Sequence, residues 1–312
     1  MSAPVLSTRE PAPPAHIDAV ADGIYAYVQP HGGWCVSNSG IIVGDRLSAL
    51  IDSTATERRA RSLRGALTAV TETPPRILIN THSHGDHTFG NAVFAPEATI
   101  VAHHLARDEM IENGEGLKTL WSDVDWGVSP VVPPDLTFTD RMQLHVGGHD
   151  AHLLHVGPAH TTNDTVVWLP EQRVLFAGDV LWNGVTPFVM MGSVSGALRA
   201  VSRLRALEPL VVVPGHGAVG GPEILDATEA YLSWLLDLAR TGLRDGTTPL
   251  ELARRTDLGR FGRLLDPERL VGNLHRAAAE LAGLPEGAAL PVPDLFAELV
   301  QFNGGRPLRC CA

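Results

Sequence analysis

Short runs of apolar and β-branched residues dominate the first two thirds of the chain and predict strands. Gly, Pro and Asp separate the runs, which is typical of turns. The first group of predicted strands comprises 24–28, 34–43, 48–52, 76–80 and 99–102. The second group comprises 142–146, 151–156, 165–169, 174–177 and 210–213.

Helical spacing of apolar residues appears between and after these strands. It predicts helices over 56–70, 89–94 and 194–207, and mostly helix and loop over 103–130. From residue 222 onward the pattern is helical, with clear apolar spacing over 271–284 and 295–302. The order is therefore β-rich, mixed, β-rich and finally helical, which indicates a mixed α/β (α+β) fold.

No internal repeat and no low-complexity linker divides the chain into independent domains. We expect a loose, proline-containing leader over 1–16, a catalytic core over 17–221 and a helical extension over 222–312 that packs on the core. The chain has 312 residues, enough for one large core of this kind. The extension would also be available for dimerisation, so a homodimer is compatible with this organisation.

Net charge and cysteine content limit the classes of substrate and the cellular location that we expect. The formal net charge of −11 argues against a nucleic-acid substrate, which usually requires a basic face. No apolar run approaches the roughly 20 residues of a membrane span, and the N-terminus lacks the pattern of a secretory signal. Cys35, Cys310 and Cys311 form no visible pairing pattern, so we expect a reducing, cytoplasmic location.

The candidate chemistry is concentrated in T-H-S-H-G-D-H at Thr81–His87, directly after a predicted buried strand. Alternation along an extended segment places His82 and His84 on one side. Asp86 and His87 follow as the chain turns into a helix, where they can face a second ion. Imidazoles and carboxylates are ligands that suit zinc, and also iron or manganese.

Local residues supply only part of each metal shell, so further ligands must come from distant strands. G-P-A-H ending at His160, A-G-D ending at Asp179 and P-G-H-G containing His216 each follow an apolar strand. We expect each ligand to lie where its strand ends in a Gly-containing turn. The remaining histidines on or near strands are expected to be structural: His103, His104, His145, His149, His152 and His155.

In this order the motifs resemble the metallo-β-lactamase superfamily over roughly residues 20–220. The resemblance implies an αββα sandwich with two Zn²⁺ ions and a bridging water or hydroxide. It assigns the first ion to His82, His84 and His160, and the second to Asp86, His87 and His216, with Asp179 bridging both. Asp86 and Asp179 are the carboxylates expected at the reaction centre, Asp86 with an alternative role as general acid or base.

Three branches of the superfamily fit less well. The common zinc β-lactamases have a Cys where this chain has Asp179, and often a Lys for the antibiotic carboxylate, whereas 178–219 contains no lysine. Nucleic-acid-processing members carry an inserted domain, which the 36 residues between Asp179 and His216 cannot hold. Glyoxalase-type thioesterases stay open, although their basic glutathione-binding tail has no clear counterpart.

Further motifs resemble the metal-dependent cyclase of aromatic polyketide pathways, the actinorhodin type. They are G-G-W-C-V-S-N at 32–38, V-D-W-G at 124–127, G-V-T-P-F at 184–188, F-A-E-L-V-Q-F-N-G-G at 296–305, and the H-S-H-G-D-H-T-F-G-N segment. The resemblance implies aldol ring closure of a carrier-bound poly-β-ketone and hydrolytic release of the thioester. The chemistry fits, because metals can stabilise an enolate and polarise a carbonyl.

A flat substrate requires an apolar slot, and two loops are candidates. We expect substrate contacts from Trp34, Cys35, Trp182, Phe188 and Met190, with core packing as the alternative. Trp121 and Trp126 are equally compatible with the pocket and with the core.

An acyl carrier protein is a hypothetical partner. Carrier proteins are acidic, so docking would need a local basic patch. Arg58, Arg59, Arg61 and Arg64 on the helix 56–70 are one candidate, and Arg199, Arg203 and Arg205 are another, with an ordinary solvated face as the alternative. Two functional alternatives also stay open: a generic hydrolase of small thioesters or lactones, and a non-catalytic binding scaffold.

Overall fold

The computed structural model describes residues 14–128 and 130–312. Twelve strands form two sheets in this part of the chain. The first sheet contains β1 (His16–Ala21), β2 (Ile24–Val28), β3 (Ser39–Val43), β4 (Ser48–Ile51), β5 (Pro75–Ile79), β6 (Thr99–His103) and β7 (Leu136–Phe138). The second contains β8 (Arg141–Val146), β9 (His149–His155), β10 (Thr165–Leu169), β11 (Val174–Trp182) and β12 (Val211–His216).

The first sheet follows chain order from β1 to β7, antiparallel up to β4 and parallel from β4 to β7. The second has the order β12-β11-β10-β9-β8, in which only β11 and β12 are parallel. Crossover helices precede the parallel strands: α1 (Glu57–Val70) leads into β5, and α5 (Val194–Arg205) leads into β12.

Alternation along the strands builds separate cores on the two faces of each sheet. On β3, Ile42 packs between the sheets, whereas Ile41 packs under α1. On β5, Ile79 likewise packs between the sheets, and Leu78 packs under α1. Helices therefore cover the outer faces of two stacked sheets, which confirms the predicted αββα sandwich.

The remaining helices lie near the site or in the C-terminal part. They are α2 (Gly85–Thr88), α3 (Asn91–Phe94), α4 (His104–Asn113), α6 (Glu223–Asp245), α7 (Pro249–Arg255), α8 (Arg269–Leu281) and α9 (Val292–Phe302), with 3₁₀ turns at Gly116–Trp121 and Gly259–Arg263. α6, α8 and α9 share one buried apolar cluster with α5 and β11. Within the described residues, no helix combines the length and apolar character needed to cross a membrane.

The main differences from the sequence-based prediction concern β1, the segment 34–38, the end of β11 and β7. β1 begins at His16, within the predicted leader, whose residues 1–13 lie outside the described part. The segment 34–38 is a buried loop, because His31, Gly32 and Cys35 have positive φ angles that break the extended run. β11 continues to Trp182, five residues beyond its predicted end, and the short strand β7 was not predicted.

Candidate metal centre and cavity

The first sheet supplies four of the predicted ligands from one short segment. β5 ends at Ile79, and Thr81 and His82 continue along the same edge. The backbone then turns into α2, which carries Asp86 and His87. The His82 and His84 rings lie edge to face with centroids 4.8 Å apart, so both face one point from the same loop.

The second sheet supplies the other three. His160 lies in the loop between β9 and β10, and His216 is the last residue of β12. Asp179 lies inside β11, not in a turn as predicted. The strand bulges at Gly178, where a positive φ of 50° reorients the chain and where an added Cβ would lie 2.8 Å from the Cβ of Thr81. The bulge brings the Asp179 carboxylate to the edge that faces the first sheet.

The structure brings all seven predicted ligands together. His82, His84 and His160 form one group, here called the three-histidine cluster, whose ligand atoms lie within 4.8 Å of one another. Asp86, His87 and His216 form a second group with the same spacing, here called the mixed cluster.

Asp179 lies between the two clusters. Its Oδ1 is 3.1 Å from Nε2 of His87, and its Oδ2 is 3.4 Å from Nε2 of His160 and 3.3 Å from Nε2 of His216. One carboxylate therefore reaches both clusters: Oδ2 approaches a histidine of each, and Oδ1 approaches a second histidine of the mixed cluster. A ligand that bridges two ions must lie between them in this way.

Unpartnered buried atoms test whether these residues fit metal ions. Nε2 of His82, His87 and His216 and Oδ1 of Asp179 are all buried and make no hydrogen bond of proper geometry, although Oδ1 lies 3.1 Å from Nε2 of His87. Nδ1 of His84 lies 2.8 Å from Nε2 of His160. The other ring nitrogen of His160, Nδ1, is already hydrogen-bonded to the Phe188 carbonyl. Buried polar atoms without partners are rare, and here they converge on two points. The donor set suits Zn²⁺.

The three-histidine cluster has the protonation state that metal binding requires. Burial, together with His87, lowers the pKa of His82 well below its usual value. Burial also lowers the pKa of His84, and lowers that of His160 to about 3. These imidazoles are therefore neutral near pH 7, with a lone pair available on a buried nitrogen.

The mixed cluster behaves in the opposite way in the metal-free protein. Burial lowers the pKa of His216, but Asp179 and Asp86 outweigh it and raise the pKa to about 9. In His87, burial is likewise outweighed by Asp179 and Asp52, and its pKa lies well above the usual value. Burial raises the pKa of Asp179, but His216 and His87 hold it well below its usual range. The negative charges of Asp86 and Asp179 therefore favour a positive charge at the mixed cluster, either a protonated imidazole or a metal ion.

Outer hydrogen bonds orient the imidazoles. Nδ1 of His87 lies 2.8 Å from Oδ2 of Asp52, and Nδ1 of His216 lies 3.0 Å from the Gly32 carbonyl. Asp52 also accepts hydrogen bonds from the backbone N–H and the hydroxyl of Thr81. The sequence analysis did not identify Asp52, although its position after β4, at the same edge as β5, was a usable signal.

The loop that carries His160 is fixed by Asp164. Its buried carboxylate accepts hydrogen bonds from the backbone N–H groups of Ala159 and Thr161 and from the Thr161 hydroxyl. Burial raises the pKa of Asp164 to about 7 against these donors. Asn163, on the same loop, donates a side-chain hydrogen bond to Glu109 of α4. This bond connects the His160 loop to the cavity wall.

A cavity of about 750 Å³ opens onto both clusters. Its apolar wall includes six aromatic side chains: Trp34, Phe89, Trp121, Trp182, Phe188 and Phe296. Trp34 lies 5.1 Å from Phe188 and 5.9 Å from Phe296, centroid to centroid. Trp182 stacks on His216 at 4.5 Å, so the aromatic wall reaches the metal ligands directly.

Four of the five predicted substrate contacts border this cavity: Trp34, Cys35, Trp182 and Phe188. Met190 was predicted wrongly. It is fully buried and packs against Gly272 of α8, while its neighbour Met191 borders the cavity. An apolar run in a loop does not reveal which of two adjacent Met side chains faces inward. Trp121 lies in the wall, whereas Trp126 packs behind it on Phe89.

The cavity wall also contains residues that the sequence analysis missed. Phe296 and Leu290 come from the C-terminal extension, and Arg269 and Arg276 come from α8. The side chain of Arg269 lies 4.1 Å from the Trp34 ring centroid. Helical periodicity identified these elements but gave no information on their packing partners.

Both proposed basic patches are engaged largely within the chain. On α1, Arg61 pairs with Glu57, Arg64 pairs with Glu97, and Arg59 bonds Gln29. On α5, Arg199 pairs with Glu286, and Arg205 pairs with Asp226 and Glu229. These pairs reduce the positive charge that either helix can offer to an acidic partner.

A family model described as the metallo-beta-lactamase superfamily matches residues 32–216. The chain is 25% identical over 233 residues to a metallo-beta-lactamase type 2 of Bacteroides fragilis, covering 71% of this chain and 86% of that protein. It is 25% identical over 229 residues to a hydroxyacylglutathione hydrolase of Methylococcus capsulatus, covering 71% and 77%. It is also 28% identical over 170 residues to the acyl-coenzyme A thioesterase MBLAC2 of Homo sapiens, covering 48% and 59%.

Solved structures show the same fold. A metallo-beta-lactamase from Pontibacter korlensis superposes with a TM-score of 0.60 at 23% identity, covering 70% of this chain and 99% of that one. A metallo-beta-lactamase family protein from Thermus thermophilus gives a TM-score of 0.63 at 23% identity, covering 85% and 95%.

Proposed function

The chain belongs to the metallo-β-lactamase superfamily of hydrolases, and from this premise we propose that it is a cyclase and thioesterase for aromatic polyketides. In this proposal it closes a ring of a carrier-bound poly-β-ketone and releases the product by thioester hydrolysis. The observation that carries the proposal is the aromatic cavity of about 750 Å³, which opens directly onto both ligand clusters.

The residues of the two clusters would hold two metal ions, and the donor set favours zinc. Bound ions of this kind supply a water of near-neutral pKa and polarise a carbonyl oxygen. His82, His84 and His160 would hold the first ion, and Asp86, His87 and His216 the second. Asp179 would bridge the two.

The aromatic wall would bind and orient the acyl group. Trp34, Phe188 and Phe296 are almost fully buried, pack against one another and border the cavity, which favours a planar substrate. Burial of the acyl group against them would exclude water from reactive intermediates. Trp182 donates its indole N–H to the Asp179 carbonyl, which fixes its ring next to His216.

We propose Asp86, besides its role as a ligand of the second ion, as the carboxylate for proton transfer. It borders the cavity, and its Oδ2 lies 3.3 Å from Nε2 of His216. Ring closure requires removal of a proton from a CH₂ group between two carbonyls, and a carboxylate facing the substrate can accept it. We therefore assign this step to Asp86, with Asp179 held between the clusters.

Two of the similar proteins act on thioesters by name: a hydroxyacylglutathione hydrolase and an acyl-coenzyme A thioesterase. Their similarity supports thioester hydrolysis more directly than it supports ring closure, which rests on the motif resemblance. A generic hydrolase of small thioesters or lactones is therefore the second candidate. β-Lactam hydrolysis is disfavoured, because Asp179 replaces the expected Cys and 178–219 contains no lysine.

An acyl carrier protein stays the proposed donor of the thioester. The internal ion pairs on α1 and α5 argue against the arginines of these helices as the main docking surface. Turnover of carrier-bound against free thioester would measure the contribution of the carrier.

The test is turnover of aryl-acyl and poly-β-ketoacyl thioester mimics, with and without a chelator, together with metal analysis. We expect about two zinc ions per chain, chelator-sensitive cleavage and a ring-closed acid as the product. Hydrolysis of many simple thioesters without ring closure would favour the generic hydrolase. Chelator-insensitive turnover, or no cleavage of any thioester, would contradict the proposal.

A further inference from the structure

Arg276 on α8 is a fully buried guanidinium with unused hydrogen-bonding capacity. Its Nε donates to the Met190 carbonyl and its Nη2 to the Ala288 carbonyl, each at 2.8 Å. Its Nη1 has no hydrogen-bond partner. Among the residues that the structure describes, no carboxylate lies within ion-pair distance of Arg276. The Glu280 carboxylate acts on Arg276 electrostatically from beyond ion-pair distance, and its oxygens accept hydrogen bonds from the backbone N–H groups of Val194 and Ser195.

Arg269, two turns earlier on the same helix, shows how a buried arginine is usually accommodated. Its guanidinium pairs with Asp266 at 3.1 Å and stacks 4.1 Å from the Trp34 ring centroid. Arg269 therefore has both a counter-ion and an aromatic face, whereas Arg276 has only two backbone carbonyls. A buried charge without a counter-ion is costly and calls for an explanation.

Arg276 lies at the cavity. It borders the same space as the metal ligands, on the side where Gly287 and Leu290 of the C-terminal extension complete the wall. The cavity wall also includes α4, which presents the acidic residues Asp108, Glu109 and Glu112. An anionic group in the cavity would be repelled by these carboxylates and attracted to Arg276, so the charges of the wall orient a charged ligand.

We propose that Arg276 is a specificity-determining residue that binds an anionic oxygen group of the acyl chain, distal to its thioester. The matching chemistry is a carboxylate or the enolate of a 1,3-dicarbonyl, since the planar guanidinium donates to such oxygens in a fixed fork. This inference rests on the proposed thioester hydrolysis and further specifies that the acyl group of the substrate carries a negative charge. That charge would serve as the counter-ion of Arg276.

The test uses a matched pair of N-acetylcysteamine thioesters, 4-carboxybenzoyl and its methyl ester, with the zinc-loaded full chain. We expect wild type to prefer the carboxylate at least about tenfold in kcat/KM, mainly through KM. Arg276→Met should abolish this preference by lowering kcat/KM for the carboxylate at least about tenfold more than for the methyl ester, and Arg276→Lys should retain part of the preference. Arg263→Met, an exposed change in the same extension, is the matched control.

Two results would overturn the inference: a wild-type enzyme without preference for the carboxylate, or an Arg276→Met variant that loses both substrates equally. The second would assign Arg276 to holding the Met190 and Ala288 segments only. If Arg276→Met does not fold, Arg276→Lys and the wild-type preference decide. If wild type cleaves neither thioester, the proposed function fails. In that case the affinities of wild type and Arg276→Lys for the corresponding non-hydrolysable thioethers, measured by tryptophan fluorescence, test the inference. Equal affinities for the acid and the ester would overturn it.

Discussion

Nδ1 of His87 lies 2.8 Å from Oδ2 of Asp52, and this contact determines which ring nitrogen of His87 is free to bind a metal ion. Asp52 has a positive φ of 60°, a backbone conformation that costs energy in a residue other than glycine. The carboxylate also accepts two hydrogen bonds from Thr81, immediately before His82. Asp52 therefore connects β4 to the ligand segment after β5.

Replacing Asp52 with Asn should weaken the second metal site. An amide has one acceptor oxygen where the carboxylate has two, so it cannot accept all three hydrogen bonds that His87 and Thr81 donate to Asp52. Lost outer partners of metal-bound histidines typically cost about 10–100-fold in metal affinity or activity. Zinc titration of the variant checks this, with the exposed Asp45→Asn as a control on the same sheet. Unchanged affinity would remove Asp52 from the site.

Asp179→Ala should remove the carboxylate that contacts both clusters. We expect a loss of activity larger than the roughly 10–100-fold caused by a missing outer partner, together with loss of at least part of the metal. Metal content per chain and thioester turnover, measured on the same sample, test this. Near-normal turnover with both ions retained would refute the bridging role.

Zinc binding should release protons at pH 7. His216, with a pKa of about 9, and His87, with a raised pKa, both hold a proton in the metal-free protein and must lose it to bind a metal. Zinc affinity should therefore increase as pH rises from 7 towards 9. Calorimetry in two buffers of different ionisation enthalpy measures the released protons directly. A pH-independent affinity in this range would contradict these protonation states.

The same groups predict the stability of the metal-free protein. The folded-state pKa of His216 lies above its unfolded value of about 6.5, so its stabilising contribution is complete below that pH. It should decrease as pH rises through about 9. Urea unfolding of chelated protein between pH 6 and 10 should show this decline, and His216→Gln should flatten it. A wild-type curve as flat as that of the variant would contradict the expectation.

The ligand set could be predicted from sequence because it combines a compact local motif with strand ends. His82 and His84 share a side of one extended segment, and strand ends meet at a common edge. Asp52 and Arg276 have no such motif around them. The position of Asp52 after β4 was the one sequence signal of its role, whereas the role of Arg276 arises from tertiary contacts between distant elements. Met190 shows the same limit, since sequence places it in the correct loop but cannot determine its direction.

Phe296→Ala should change the selectivity for aryl-acyl thioesters more than it changes turnover of a small acyl thioester. Phe296 belongs to α9 of the C-terminal extension, and its ring lies 5.9 Å from that of Trp34 and 6.3 Å from that of Phe188. A lost aromatic contact is worth roughly 0.5–1.5 kcal/mol beyond the apolar area that it buries, so kcat/KM for an aryl-acyl thioester should fall about tenfold. Turnover of an acetyl thioester, too small to reach this wall, should change less than about threefold.

The matched control for this prediction is Phe261→Ala. Phe261 lies in the same extension and packs 5.3 Å from Tyr231, outside the cavity wall. Both changes remove one aromatic ring from the C-terminal part, so both should lower stability, and the midpoints of urea unfolding should shift in the same direction. Only Phe296→Ala should alter the ratio of aryl to acetyl turnover. A similar change of this ratio in both variants would mean that the extension supports the fold without contacting the acyl group.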